Sequence, residues 1–258
     1  MSSRLAIVTG SAGDIGRAIA ARLSNDHDII ILADLDIDAA KNATAKLGDQ
    51  FVPMQLDVTD PESCAALAAA TAPMGDVVTL VNNAGASCAV SLQSASLEDW
   101  KFDRSLNLDG AFFVFKALAK QLIAAKGAVV NIASVNGMGV FGHPAYSAAK
   151  AGMIHLTKMI AVEYGQYGIR ANTVAPGTVR TQAWEDRAVA NPKVFEEAAE
   201  HYALGRIVFP ADVAEAVGFL ASPLAAAITG VCLPVDCGLT AGIPTLARTF
   251  SQSDDYKK

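Results

Sequence analysis

Apolar residues in this chain come in short runs on consecutive positions, and a longer amphipathic stretch follows almost every run. Leu5–Val8, Ile29–Ala33, Phe51–Leu56, Val77–Val81, Ala128–Ile132 and Ile169–Val174 read as strands buried on both faces, because a strand with one wet face would alternate apolar and polar residues. The stretches Ile15–Ser24, Asp38–Leu47, Pro61–Ala72, Phe102–Lys126 and Tyr146–Tyr164 carry apolar residues near every third or fourth position, as helices do. Val231–Val235 completes the set as a last strand. Such alternation implies right-handed crossovers and an α/β, doubly wound parallel sheet with helices on both faces. No linker divides the 258 residues, so a single domain over residues 1–247 is expected, with an insertion around residues 178–204 and a polar, frayed tail over 248–258. Hydrophobic residues make up 52% of the chain, enough for a large core. A net charge of −6 leaves no basic excess to hold a nucleic acid, and no apolar run is long enough to span a membrane. The four cysteines show no CxxC spacing and read as buried, reduced thiols, which places the chain in the cytoplasm.

Between the first strand and its helix lies Thr9-Gly10-Ser11-Ala12-Gly13-Asp14-Ile15-Gly16. A glycine-rich strand-to-helix turn brings backbone close to a pyrophosphate, whose charge meets the free N–H groups of the helix start. An ordinary tight turn has the same composition, so the second strand decides. It ends at Asp34, where a carboxylate would accept hydrogen bonds from adenosine ribose hydroxyls and repel a 2′-phosphate, favouring NAD over NADP. Asp36 is expected to cap the next helix or to face solvent.

Tyr146 and Lys150 stand at i and i+4, on one helix face, where a cation would lower the phenol pKa and ready it for proton exchange. Upstream, Ser134 follows the strand Ala128–Ile132, at the carboxyl end where doubly wound sheets bind ligands. With these residues in order the chain resembles the short-chain dehydrogenases/reductases over about residues 4–242. The motifs are Thr9-Gly10…Gly16, Asp57-Val58, Asn82-Asn83-Ala84-Gly85, Asn107, Ser134, Tyr146-x-x-x-Lys150 and Pro176-Gly177. The resemblance implies a seven-stranded Rossmann sheet, a homotetramer built on the helices Phe102–Lys126 and Tyr146–Tyr164, and a tetrad of Asn107, Ser134, Tyr146 and Lys150. In it the tyrosine is the acid/base, the serine orients the substrate oxygen, the lysine serves the tyrosine and the nicotinamide ribose, and the asparagine anchors a water. It also implies an NAD site formed by Gly10, Asp14, Ile15, Gly16, Asp34, Leu35, Asp57, Val58, Asn83, Ala84, Gly85, Tyr146, Lys150, Pro176, Gly177, Val179 and Thr181; Asn82 and Asn83 also have a structural reading as strand-end turn residues, one of the pair bracing the sheet.

The chain departs from that family's pattern in three places. Asp occupies position 14, where the family's turn usually has glycine, and its carboxylate is expected to turn away and cap the first helix. Ser134 and Tyr146 are one residue closer than usual, and the late Asp-Gly-Gly is Asp236-Cys237-Gly238. For the substrate, the sequence points to Ser134, Asn136, His143, Tyr146 and Trp184, with Ser87, Val140 and Phe141 nearby; His143 has a structural reading beside the pocket one. Phe112–Phe115 reads as core, and no cluster has metal-ligand spacing. The expected function is therefore NAD-dependent interconversion of a secondary alcohol and a ketone, with a sugar, polyol or cyclic alcohol as substrate. A biosynthetic NADPH-type ketoreductase and a non-catalytic dinucleotide-binding regulator are the alternatives. Asp34 speaks against the first and the tetrad against the second.

Overall fold

The computed structural model describes residues 2–189 and 191–256. Seven parallel strands form one sheet in the order β3-β2-β1-β4-β5-β6-β7. The strands are β1 Arg4–Thr9, β2 Ile29–Asp34, β3 Phe51–Gln55, β4 Asp76–Asn82, β5 Ala128–Ile132, β6 Arg170–Pro176 and β7 Cys232–Val235. The first three step outward in one direction, and the chain then crosses back so that β4 pairs with β1 on its other side. That reversal opens a crevice at the carboxyl ends of β1 and β4, where open α/β sheets bind ligands.

The side chains of β1 show why the sheet needs two helical layers. Leu5 and Ile7 are fully buried with Val114, Phe115 and Leu118 of α5 (Gly110–Ala125) on one face. Ala6 and Val8 are buried on the other face with Ile19 and Leu23 of α1 (Asp14–Leu23) and Val213 and Val217 of α9 (Pro210–Ala221). Each fully buried aliphatic side chain stabilises the fold by about 1.5–3 kcal/mol. Local signals set the helix starts. Asp36 accepts the Asp38 and Ala39 amides to cap α2 (Ile37–Leu47), and Asp60 caps α3 (Pro61–Thr71), whose first residue is proline. Ser96 and Asp99 form a reciprocal capping box on α4 (Leu97–Arg104). The long α6 (Pro144–Tyr164) packs on β5 and β6.

Several expectations need correction. The helix read at Phe102–Lys126 begins at Leu97 and is interrupted by a π turn, Ser105–Asp109, before α5. Within Phe112–Phe115, Val114 and Phe115 are buried, but Phe112 is exposed because it points off the far side of α5. Of the cysteines only Cys64 is buried; Cys88 is exposed, and all four are free. The insertion holds α7 (Gln182–Ala188) and α8 (Val194–Ala199). The tail is not wholly irregular: α10 (Pro244–Ser251) runs into it, with an Arg248–Asp254 ion pair beyond its end. Among the described residues no helix is long and apolar enough to cross a membrane.

Candidate active site

The turn after β1 and the turn after β4 are clamped to each other. Thr9 Oγ1 accepts the amides of Asn83 and Ala84, both at 3.0 Å, and Asn83 Nδ2 donates to the carbonyls of Thr9 and Gly10 at 3.0 Å each. Only glycine fits at position 10. Its φ is +62°, and a Cβ there would lie 2.7 Å from Ala84 Cα. Asn82 turns inward, and its Nδ2 donates to Asn131 Oδ1 at 2.8 Å, tying β4 to β5 as a sheet brace.

Gly13 caps α1 without a side-chain hydrogen bond, so the first amides of α1 have no side-chain acceptor at the cap. Asp14 does not cap its own helix, as the sequence suggested. It is already the first helical residue, too far along to fold back, and its carboxylate meets Arg17 and the amide of Gln182, the latter at 2.7 Å. Asp34 ends β2 as expected. One carboxylate oxygen accepts Ala12 N at 2.8 Å and the other Asp36 N at 3.1 Å. Leu35, beside it, is largely exposed. Asp57 Oδ1 holds the amide and hydroxyl of Thr59, and buried Val58 lies under Gly110.

α6 carries Tyr146 and Lys150 to the same crevice. Lys150 is buried, its Nζ donates to Ile132 O at 2.7 Å, and that nitrogen lies 5.4 Å from the centre of the Tyr146 ring. Burial pushes the ammonium down to about 7. Burial also pushes the Tyr146 phenol up, while its hydrogen bond with Ser134 pulls it down and Asp103 adds a smaller upward push. Burial, rather than Lys150, sets the direction of the phenol's shift here, because the amine is itself desolvated.

Asn107 sits in the π turn. Its Nδ2 donates to Ala86 O and Asp103 O, at 2.7 and 2.8 Å, while its Oδ1 is buried with no partner. A Cβ at Gly85 would come within 2.7 Å of that oxygen and 3.3 Å of Lys150 Nζ, so both atoms border one space beside Gly85. An unpaired buried acceptor facing a shared space is a place for a water or a ligand hydroxyl. Asn136 is committed inside the protein. Its Oδ1 takes the Ser134 hydroxyl at 3.2 Å, and its Nδ2 donates to Gly142 O and Ser147 Oγ at 3.0 and 3.2 Å. It thereby positions Ser134. His143 has φ +53°, an unpaired buried Nδ1 and a ring edge-on to Tyr146, 6.4 Å between centres.

Pro176 and Gly177 close β6, and Val179 pairs with Val208 as an isolated bridge. Thr181 O accepts the amides of Trp184 and Glu185 at the start of α7. A cleft of about 760 Å³ opens here, lined among others by Met138, Phe141, Thr178, His201, Tyr202 and Ile243. Sequence reasoning missed Asp103, which is buried and accepts the Cys88 amide at 3.0 Å, and it missed the Tyr202 hydroxyl that holds Thr178 N at 2.8 Å. Among the described residues no group of His, Cys, Asp and Glu could hold a metal.

Fold and site together define an oxidoreductase built on a doubly wound sheet. A family model described as enoyl-(acyl carrier protein) reductase matches residues 10–240. An uncharacterised oxidoreductase of Schizosaccharomyces pombe is 37% identical over 99% of this chain and 98% of its own. A meso-2,3-butanediol dehydrogenase of Serratia marcescens is 33% identical over 93% of this chain and 95% of its own. Among solved structures, a short-chain dehydrogenase/reductase from Burkholderia thailandensis superposes with a TM-score of 0.92 at 39% identity, covering 98% of this chain and 99% of the other. The chain belongs to the short-chain dehydrogenase/reductase family.

Proposed function

We propose that this protein is an NAD-dependent dehydrogenase that interconverts a secondary alcohol of the polyol, sugar or cyclic-alcohol class with its ketone. The observation that carries this reading is the meeting of Tyr146, Ser134, Lys150 and the unpaired Asn107 Oδ1 at the crevice between β1 and β4. The residues present fit a dinucleotide: glycine where a Cβ would fill the cradle, uncapped amides on α1, and a carboxylate at the end of β2. The turn Gly10–Gly16, with Ile15, would hold the pyrophosphate, and Asp34 and Leu35 the adenosine, with Asp57 and Val58 at the adenine. Asn83, Ala84, Gly85 and Lys150 would hold the nicotinamide ribose, and Pro176, Gly177, Val179 and Thr181 the carboxamide end. When bound, such a cofactor supplies the hydride acceptor.

The chain's own residues do the rest. Ser134, oriented by Asn136, holds the substrate oxygen beside Tyr146. Tyr146 takes the alcohol proton as its own phenolic proton leaves. Lys150, whose ammonium is pushed down to about 7, relays the outgoing proton towards the space bordered by Asn107 Oδ1. Trp184 and His143 flank the substrate. The similarity to a butanediol dehydrogenase supports the polyol class. Free cysteines suit the cytoplasm.

Asp34 places a negative charge where a 2′-phosphate would sit. Initial rates with the two cofactors are expected to differ at least about tenfold in kcat/KM in favour of NAD, which is about 1.4 kcal/mol. Equal rates with NADP sink that assignment. Initial rates against a panel of aldoses, polyols, hydroxy acids, aryl carbinols and steroids test the substrate class. Activity confined to hydroxy acids or steroids would overturn it.

We also propose a homotetramer. Phe102, Phe112, Met159 and Val162 leave apolar surface exposed on α4, α5 and α6 that the sheet does not cover. Sedimentation at micromolar protein is expected to show the assembly, and a monomer would exclude it.

A further inference from the structure

Asp14 occupies the pyrophosphate turn, where a carboxylate is unwelcome, and its partners give it a use. Arg17 pairs with one carboxylate oxygen and also donates to Ala12 O, and Ala12 N in turn donates to Asp34. The other oxygen of Asp14 accepts the amide of Gln182, the first residue of α7, at 2.7 Å and across 168 positions of sequence. Gln182 Nε2 continues the line to Asp186 Oδ1 at 3.0 Å. One connected set of hydrogen bonds thus runs from the carboxylate at the end of β2, through the glycine-rich turn, to the helix that opens the 178–204 segment.

We propose that Asp14 is the anchor that holds α7 against the cofactor turn, so that dinucleotide occupancy and the seating of this segment are coupled. The coupling rests on the NAD reading above. With α7 seated, Arg17 and the Gln182 amide take up the charge of Asp14. With α7 lifted, a bare carboxylate oxygen stands beside the α1 amides that a pyrophosphate needs, and like charges repel. A dinucleotide therefore favours the seated segment, and by reciprocity the seated segment favours the dinucleotide. Asp14 acts through α7 and is a positioning residue.

Amide hydrogen exchange over residues 183–189, with and without NADH, tests this in three variants of the full chain. Asp14→Ala removes the acceptor. Gln182→Pro removes the donor from the other side, at a first helical position that tolerates proline. Asp14→Asn keeps an acceptor without the charge. Without NADH, exchange in this peptide is expected to quicken about tenfold in Asp14→Ala and in Gln182→Pro, and by less in Asp14→Asn, while β1 and β4 stay protected. Saturating NADH is expected to slow the wild-type peptide and to slow the first two variants much less. Unchanged exchange in both of those variants overturns the anchor. Quickened exchange that NADH slows as strongly as in wild type overturns the coupling and leaves the cofactor reading standing. Wild-type protein that shows no NADH-dependent change in fluorescence or exchange overturns the cofactor reading and the coupling with it.

Discussion

Tyr146→Phe is expected to lower kcat by about 10²–10⁴-fold while the Kd for NADH stays within a few-fold. The ring keeps its place beside His143 and below Lys150, so the fold and the cofactor turn are undisturbed. The loss is confined to the oxygen that takes the alcohol proton. Stopped-flow turnover and a fluorescence titration with NADH separate the two quantities. A variant that kept most of its rate would move the acid/base elsewhere, with His143 the next group to examine. The pH dependence belongs to the pair. Lys150 sheds its proton near 7 and Tyr146 later, so the Tyr146–Lys150 unit loses its first proton around neutrality. The rate of oxidation is expected to climb between about pH 6 and 8, and this limb should vanish in Lys150→Met.

Lys150→Met makes the second large change, and it cuts two ways. Turnover should fall at least about 10²-fold and NADH should bind more weakly, because the amine serves both the proton path and the ribose. The protein without cofactor should nevertheless become more stable. The folded lysine titrates near 7 and the unfolded one near its ordinary 10.5. Below 7 both states are protonated and the folded state bears the full penalty of a buried charge. Between about 7 and 10.5 only the unfolded state keeps its proton, so wild-type stability rises with pH across that window. Removing the amine abolishes this slope. After the lost bond to Ile132 O, a net gain of roughly 1–4 kcal/mol at pH 7 is expected, or several degrees in Tm. Thermal denaturation of both proteins from pH 6 to 10 measures it. A destabilised Lys150→Met with the wild-type pH slope would show that the charge is not what the fold bears.

The sheet was readable because its strands carry apolar residues on consecutive rather than alternate positions, which burial on both faces explains; β1 and β5 have no exposed apolar residue. The glycine turn, Asp34 and the Tyr146–Lys150 pair were readable because each involves neighbours in sequence or the end of a strand. What stayed hidden depends on partners that sequence does not bring together. Asp14 looked like a helix cap because its partner lies 168 residues away. The bonds of Asn136 to Gly142 and Ser147 stayed hidden because they need a folded loop. The lysine's lowered charge follows from depth, which a spacing of four cannot reveal. α10 was missed because the polar composition of its last residues outweighed Leu246 and Phe250, which stay exposed in the folded chain.

The π turn at Ser105–Asp109 makes residues 97–125 one rod with two phases. An α-helix advances about 100° per residue, so the single residue that a π turn adds rotates everything after it by about that much. Before the turn the rod aims Asp103 at the site. Within the turn it aims Asn107, and after it the stripe Val114, Leu118 and Leu122 faces the sheet. No point substitution can trade these registers against each other. An indel can: a one-residue deletion between 105 and 109 would let the segment close into an unbroken α-helix, leaving α5 facing the sheet but abolishing the turn that presents Asn107 to the crevice. The extra residue therefore serves the crevice and not the core: α5 could pack without it, and Asn107 could not be presented without it.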